Sequence, residues 1–310
     1  MRRRIGIDLK LTLTPSFTLA LFEEIEYNTW VKVVGYEKGS TIRFKNGVVE
    51  YDCSDKTIEY WTGEWFKPER YLDEVVKDQR TVVENILRIY SRVSLSVDPF
   101  DKNLLIVPIA LSRRTDYARN VLRWCLAIWK RTETLEGILR TDLSTIGNSY
   151  QLKQLKTVVK DFLDKVVPHL DEDPGELRRT LLTCRWIGPK TADAYLLFTG
   201  IDVSTAPVDI HLKRMNFRIF RIPYKYEPTK PLCSRYECTE CPRSEGCLRY
   251  LFTKDFKRLA GWLQTISYLH DRLYCSRSLC RECPLKSVCR ESGRTVRSST
   301  TSREDYENSR

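Results

Sequence analysis

Between Arg185 and Arg214 the sequence RWIGPKTADAYLLFTGIDVSTAPVDIHLKR places a lysine, Lys190, two residues after a glycine, and an aspartate, Asp209, nineteen positions further on. Ile187-Gly188 predicts a tight turn, Pro189 opens an apolar helix that stops at Gly200, and Asp209 stands where it would cap a second helix, IHLKRMNFRIF. In a first helical turn the positive end of the dipole disfavours an ammonium, and partial burial adds to this. Lys190 is therefore predicted to offer a neutral amine, which is a nucleophile. Taken singly, Asp209 reads as a cap and Lys190 as a solvated side chain. Across one glycine hairpin the two form a nucleophile and carboxylate pair. The hairpin should also leave unpaired N–H groups around Ile187, Gly188 and Thr191, a handle for a phosphate.

Sulfur is the second chemical signal. Cys233-x4-Cys238-x2-Cys241-x5-Cys247 and Cys275-x4-Cys280-x2-Cys283-x5-Cys289 repeat one spacing and take up eight of the eleven cysteines. Clustering of this kind in a chain that shows no secretion signal favours metal ligation over disulfides. Cys53, Cys125 and Cys184 read as packing residues. Arg235, Arg243, Arg277, Arg281 and Lys286 lie between the clustered cysteines and suit loops held against phosphates.

The elements that must position these groups follow from composition and period. The 310 residues are 42% hydrophobic and carry 52 Lys and Arg against 41 Asp and Glu, a net charge of +11. That charge favours a polyanionic partner. No apolar run approaches the ~20 residues of a membrane span, and Leu104 to Leu111, the best, contains Pro108. An intracellular protein, cytoplasmic or nucleoid-associated and with no membrane partner, is expected. Its 30% charged residues and two methionines suit a thermophile.

We expect an α+β chain. Residues 1–67 read as a β-rich domain, with Ile5 to Leu13 as a strand by alternation, Trp30 to Tyr36 as another, and Asn46-Gly47 as the turn of a hairpin. Residues 68–230 read as a helical core, which includes Val82 to Val93, a helix opened by Asp98-Pro99 that runs to Leu111, and Ile146 to Val166. Arg113 and Arg114 interrupt it in a polar loop from which they could reach a nucleic acid, although loop arginines are more often simply solvated. Asp173, Pro174 and Glu176 mark the start of the helix that leads into the hairpin at 177–200. An inserted cysteine motif at 231–250, a helix and cysteine loop at 251–291, and a disordered polar tail at 292–310 complete the chain.

WIGPKTADAY followed by APVDIHLKR resembles the helix-hairpin-helix and the Gly/Pro-rich loop ending in Asp of the endonuclease III superfamily of DNA glycosylases. The resemblance runs from about Asp98 to Cys289, and the β-rich start is similar to that of the 8-oxoguanine and 3-methyladenine glycosylase branches. It implies a bifunctional DNA N-glycosylase and AP lyase with Lys190 as nucleophile and Asp209 as catalytic carboxylate, acting as a monomer on double-stranded DNA with a damaged, oxidised base. It also implies a [4Fe–4S] cluster on Cys275, Cys280, Cys283 and Cys289. The motif at Cys233, Cys238, Cys241 and Cys247 is an insertion relative to the family, and its identical spacing suggests a second [4Fe–4S] cluster, with Zn²⁺ open. A non-enzymatic iron-sulfur protein that binds DNA on the same scaffold is the competing class. Two features depart from the pattern. Trp186 takes the place of the first hairpin glycine and Pro189 removes an N–H, which predicts a weaker or shifted grip on phosphate. Arg113 stands where endonuclease III has a gap-filling glutamine.

Overall fold

The computed structural model describes residues 1–291, so the tail expected at 292–310 lies outside the described residues. Five strands, β1 (Arg2–Arg4), β2 (Phe22–Glu26), β3 (Thr29–Lys32), β4 (Thr41–Lys45) and β5 (Val48–Tyr51), form one antiparallel sheet in the order β1-β5-β4-β3-β2. Lys45 pairs with Val48 across Asn46-Gly47. Both turn residues have positive φ, +52° and +76°, the left-handed geometry that matches strand twist in a two-residue hairpin.

The segment Ile5 to Leu13, expected as a strand, is not one. β1 ends at Arg4, and α1 (Leu9–Leu13) is a short helix whose cap, Asp8, accepts from the Leu11 N–H at 3.0 Å. Leu9 and Leu13 are buried, and their spacing of four satisfies a helical period as well as an alternating one. The capping aspartate decides between the two periods. α2 (Asp55–Thr62) also falls within the β-rich stretch.

The remaining helices are α3 (Lys77–Ile89), α4 (Lys102–Leu111), α5 (Leu122–Trp129), α6 (Leu135–Arg140), α7 (Tyr150–Lys165), α8 (Pro174–Thr183), α9 (Pro189–Phe198), α10 (Ile210–Met215), α11 (Lys230–Cys233), α12 (Leu248–Phe256) and α13 (Ala260–Leu273). Their apolar faces join the sheet in one hydrophobic core that reaches from Ile5 to Leu285 and includes the predicted packing cysteines Cys53, Cys125 and Cys184. No helix among the described residues is long and apolar enough to cross a membrane.

Asp98 does not open the helix expected after it, because α4 begins at Lys102 and Asp98 is committed elsewhere. Its carboxylate accepts from the Phe100 and Asp101 N–H groups at 3.0 Å, from Trp61 Nε1 at 2.9 Å and from Lys32 Nζ at 3.0 Å. Lys32 points inward from β3, is bonded also to Asp101, and lies 4.3 Å from the Trp61 ring centroid. This ionic group, buried throughout, ties the sheet to the start of α4. Lys32→Met would strand two buried carboxylates. We expect it to lower unfolding free energy by about 3–5 kcal/mol in urea titration, because removing one partner leaves uncompensated buried charge.

Candidate active site

The hairpin is built as its residues dictate. Asp173 caps α8 by accepting from the Gly175 N–H at 2.7 Å, Pro174 fills the first turn, and Leu177, Leu181 and Leu182 are wholly buried. The chain leaves α8 at Cys184 and turns through Trp186, whose φ of +65° is left-handed and costs a non-glycine residue roughly 1–2 kcal/mol. Ile187 is buried beneath the turn, so only its backbone can meet a ligand. Gly188 is the N-cap residue of α9 and Pro189 its first residue. The Lys190 and Thr191 N–H groups then fall in the first turn, which has no intrahelical acceptors.

Three long-range contacts hold the turn. Asp161 of α7 accepts from the Arg185 backbone N–H at 2.7 Å and from its Nε and Nη2 at 3.1 Å. Lys230 Nζ donates to the Cys184 carbonyl at 2.6 Å, and Arg113 Nη1 to the Trp186 carbonyl at 3.1 Å. The Arg185 hydrogen bonds hold the Asp161 carboxyl down, from 3.8 to about 2. A depressed carboxylate stabilises the fold fully above its unfolded value, so this contribution is present above pH 3.8 and lost as pH falls through about 2. Asp161→Asn should flatten acid unfolding in that window, readable by circular dichroism.

Asp209 caps α10 as expected, with Oδ1 accepting from the Leu212 N–H at 2.8 Å. Its second oxygen accepts from Gln264 Nε2 on α13 at 3.2 Å. Lys190 and Asp209 open onto one cleft of about 860 Å³, which Arg113, Arg114, Gly188 and Thr191 also line. Among the described residues the Lys190 amine has no hydrogen bond or ion pair. An unpartnered amine and a fixed carboxylate therefore face the same space.

No protein-family model matches the sequence, and no curated protein does. Solved structures do. The 8-oxoguanine glycosylase/lyase of Clostridium acetobutylicum, in complex with double-stranded DNA containing cytosine opposite 8-oxoG, superposes with a TM-score of 0.65 at 14% identity over 87% of this chain and 93% of that one. MBOgg1 in complex with a low-affinity DNA ligand gives 0.64 at 15% over 88% and 94%, and endonuclease III in a non-covalent DNA complex gives 0.51 at 17% over 70% and 97%. The chain has the fold of the helix-hairpin-helix DNA glycosylases. The expected α+β architecture holds, with its N-terminal sheet followed by helices.

Within this glycosylase fold several cleft residues carry no local signal. Gln264, Tyr268 and Arg272 succeed one another at four-residue steps on α13 and all line the cleft, and only the fold turns this helix face toward Asp209. Arg272 donates to Asp116 at 2.8 Å. His211 bonds the buried Asp271 at 2.6 Å and packs edge-on to Tyr268, with ring centroids 4.7 Å apart.

Arg113 is not the free arm that its place in a polar loop suggested. Its Nε donates to the Ala110 carbonyl at 2.8 Å, and its own carbonyl accepts from Tyr150 and Gln151. Burial pushes its guanidinium below the usual arginine range. It braces the hairpin, and its Nη2 is buried without a hydrogen-bond partner among the described residues. Arg277 and Arg281 are exposed on the C-terminal cysteine loop, outside the cleft lining.

The eight clustered cysteines are free thiols in two groups. In the first, Arg249 Nη1 donates to Cys238 Sγ at 2.8 Å, and burial raises the Cys233 thiol while the charge of Arg178 opposes the rise. In the second, burial raises the Cys275 thiol while nearby Arg218 opposes the rise, and His270 Nε2 lies 3.4 Å from Cys283 Sγ. Burial raises the Cys283 thiol, and the neighbouring charges of Cys275, Cys289 and Cys280 raise it further. Among the described residues no group of three or more His, Cys, Asp or Glu side chains is drawn close enough to hold a metal ion.

Proposed function

We propose that this protein is a bifunctional DNA N-glycosylase and AP lyase of base excision repair. The observation that carries this reading is the pairing of Lys190 with Asp209 at one open cleft, on the helix-hairpin-helix fold. A glycosidic bond cannot be attacked inside a stacked duplex, so the damaged nucleotide is flipped into the cleft. The first-turn N–H groups of Lys190 and Thr191 and the +11 chain charge suit the backbone on either side.

As the bond from C1′ to the base lengthens, positive charge grows on the sugar, and the Asp209 carboxylate stabilises it. Lys190 Nζ forms a bond to C1′, the base departs with the glycosidic electron pair and takes up a proton, and the amine loses its own. Opening of the sugar gives a Schiff base between Lys190 and C1′. Loss of a C2′ proton then expels the 3′ phosphate by β-elimination. Oxidised bases are the substrates we favour, a reading supported by similar structures that cover most of the chain and include an 8-oxoguanine glycosylase/lyase.

The cysteine sets suit thiolate-bound groups by the chemistry of their donors, because each carries four free thiols along one loop with a guanidinium near one of them. Cys275, Cys280, Cys283 and Cys289 would hold a [4Fe–4S] cluster, and Cys233, Cys238, Cys241 and Cys247 a second cluster or Zn²⁺. Each loop must close further around its group. Such a group supplies structural bracing and local charge, and no step of base removal passes through it. Protein purified without oxygen should contain about eight irons per chain, whereas about four irons and one zinc would assign zinc to the first loop.

A panel of duplexes, each with one damaged base, scored for base release and strand cleavage, tests the function. Base release with strand cleavage on an oxidised base is expected. Binding without release of any base would leave the scaffold a non-enzymatic DNA-binding protein.

A further inference from the structure

The interior of the protein holds a charged group that joins the first cysteine loop to both residues of the active site. Asp193 is fully buried on α9, three residues beyond Lys190. It accepts from Arg178 Nε at 2.6 Å and from Arg249 Nε at 2.9 Å, with Thr205 Oγ1 at 3.2 Å. Arg249, buried at the start of α12, uses its remaining nitrogens on two other segments. Nη2 donates to Thr205 Oγ1 at 3.0 Å, four residues before Asp209, and Nη1 donates to Cys238 Sγ at 2.8 Å.

One guanidinium thus touches the helix of Lys190, the loop of Asp209 and a cysteine of the inserted motif. Two guanidiniums share a single carboxylate, so Arg178 already pairs Asp193 and the further reach of Arg249 is not needed for that. Anchoring Asp193 alone would need no donor turned toward sulfur. Nearby, the α13 backbone approaches so closely that a Cβ on Gly261 would lie 2.3 Å from Leu197 Cδ1 and 2.5 Å from the Val203 carbonyl. A shift of α9 or of the 203–205 segment has little slack to absorb it.

We propose that Arg249 is a positioning residue through which the Cys233–Cys247 loop sets Lys190 and Asp209 relative to each other, an inference that rests on the base-excision reading of the cleft. Held at Cys238, Arg249 clamps α9 to the Asp209 loop through Asp193 and Thr205. With the Cys238 contact removed, the guanidinium is free to turn, the clamp weakens, and Lys190 and Asp209 lose their fixed separation.

The test is backbone hydrogen exchange on the full chain without DNA, for wild type, Arg249→Met, Cys238→Ala and the double variant. Amides of residues 190–198 and 203–209 should exchange about tenfold or more faster in each single variant, with β4 and β5 unaffected. The double variant should be no faster than Arg249→Met, because the two act in one chain of contacts. In the matching kinetics, kcat for base release should fall by about 10–100-fold with KM for damaged duplex within about twofold, the signature of misplacement without lost binding.

Wild-type exchange in Cys238→Ala, or additive effects in the double variant, would overturn the coupling. If Arg249→Met does not fold, two milder variants decide. Arg249→Lys keeps the charge with fewer donors and should show intermediate exchange, and Thr205→Val should loosen 203–209 more than 190–198; wild-type exchange in both would overturn the proposal. Because exchange is read without substrate, a chain that releases no base would sink the enzymatic reading and leave this measurement decisive on its own.

Discussion

Lys190→Gln is expected to abolish borohydride trapping of the protein on a duplex with a damaged base, with strand cleavage reduced on the order of 10³–10⁶-fold. An amide nitrogen cannot form a Schiff base, so no covalent intermediate remains to be reduced. The substitution is a gentle one elsewhere. Lys190 makes no ion pair among the described residues, lies in a first turn that glutamine tolerates, and leaves the caps and buried leucines of the hairpin intact. Duplex affinity should change only by the loss of one positive charge near the phosphates, seen as a slightly shallower salt dependence. Trapping that persists would identify a different amine as nucleophile and remove the main support for lyase chemistry at this site.

Asp209→Asn separates the two roles of that residue. Asparagine caps a helix about as well as aspartate, so the bond to the Leu212 N–H survives and stability should change by less than about 0.5 kcal/mol. Gln264 can turn its amide to accept from the new side chain instead of donating to it. What disappears is the negative charge beside the sugar, and base release should fall by about 10²–10³-fold or more with duplex binding retained. Single-turnover release of the free base measures the loss. Near-normal turnover would reduce Asp209 to a cap.

Both residues were legible because their signals are local. A lysine after a glycine turn and an aspartate before a helix are settled by neighbours within a few positions, as are the Asn46-Gly47 hairpin and the Asp173 cap. Ile5 to Leu13 shows where local signals conflict, since Leu9 and Leu13 satisfy two periods and the Asp8 side chain breaks the tie. Asp98 beside a proline carries every mark of a helix start. A lysine 66 residues earlier, on a strand, claims it instead.

By itself, the sequence determined the order of sheet and helices, the hairpin, the catalytic candidates and the two cysteine sets, because each depends on spacing along the chain. Tertiary structure alone decided the rest. It turned Arg113 from a free arm into a brace, brought Gln264 to Asp209 across 55 residues, and set Arg249 among Asp193, Thr205 and Cys238. Buried polar groups must find partners wherever the fold delivers them, and separation along the chain places no limit on which partner that is.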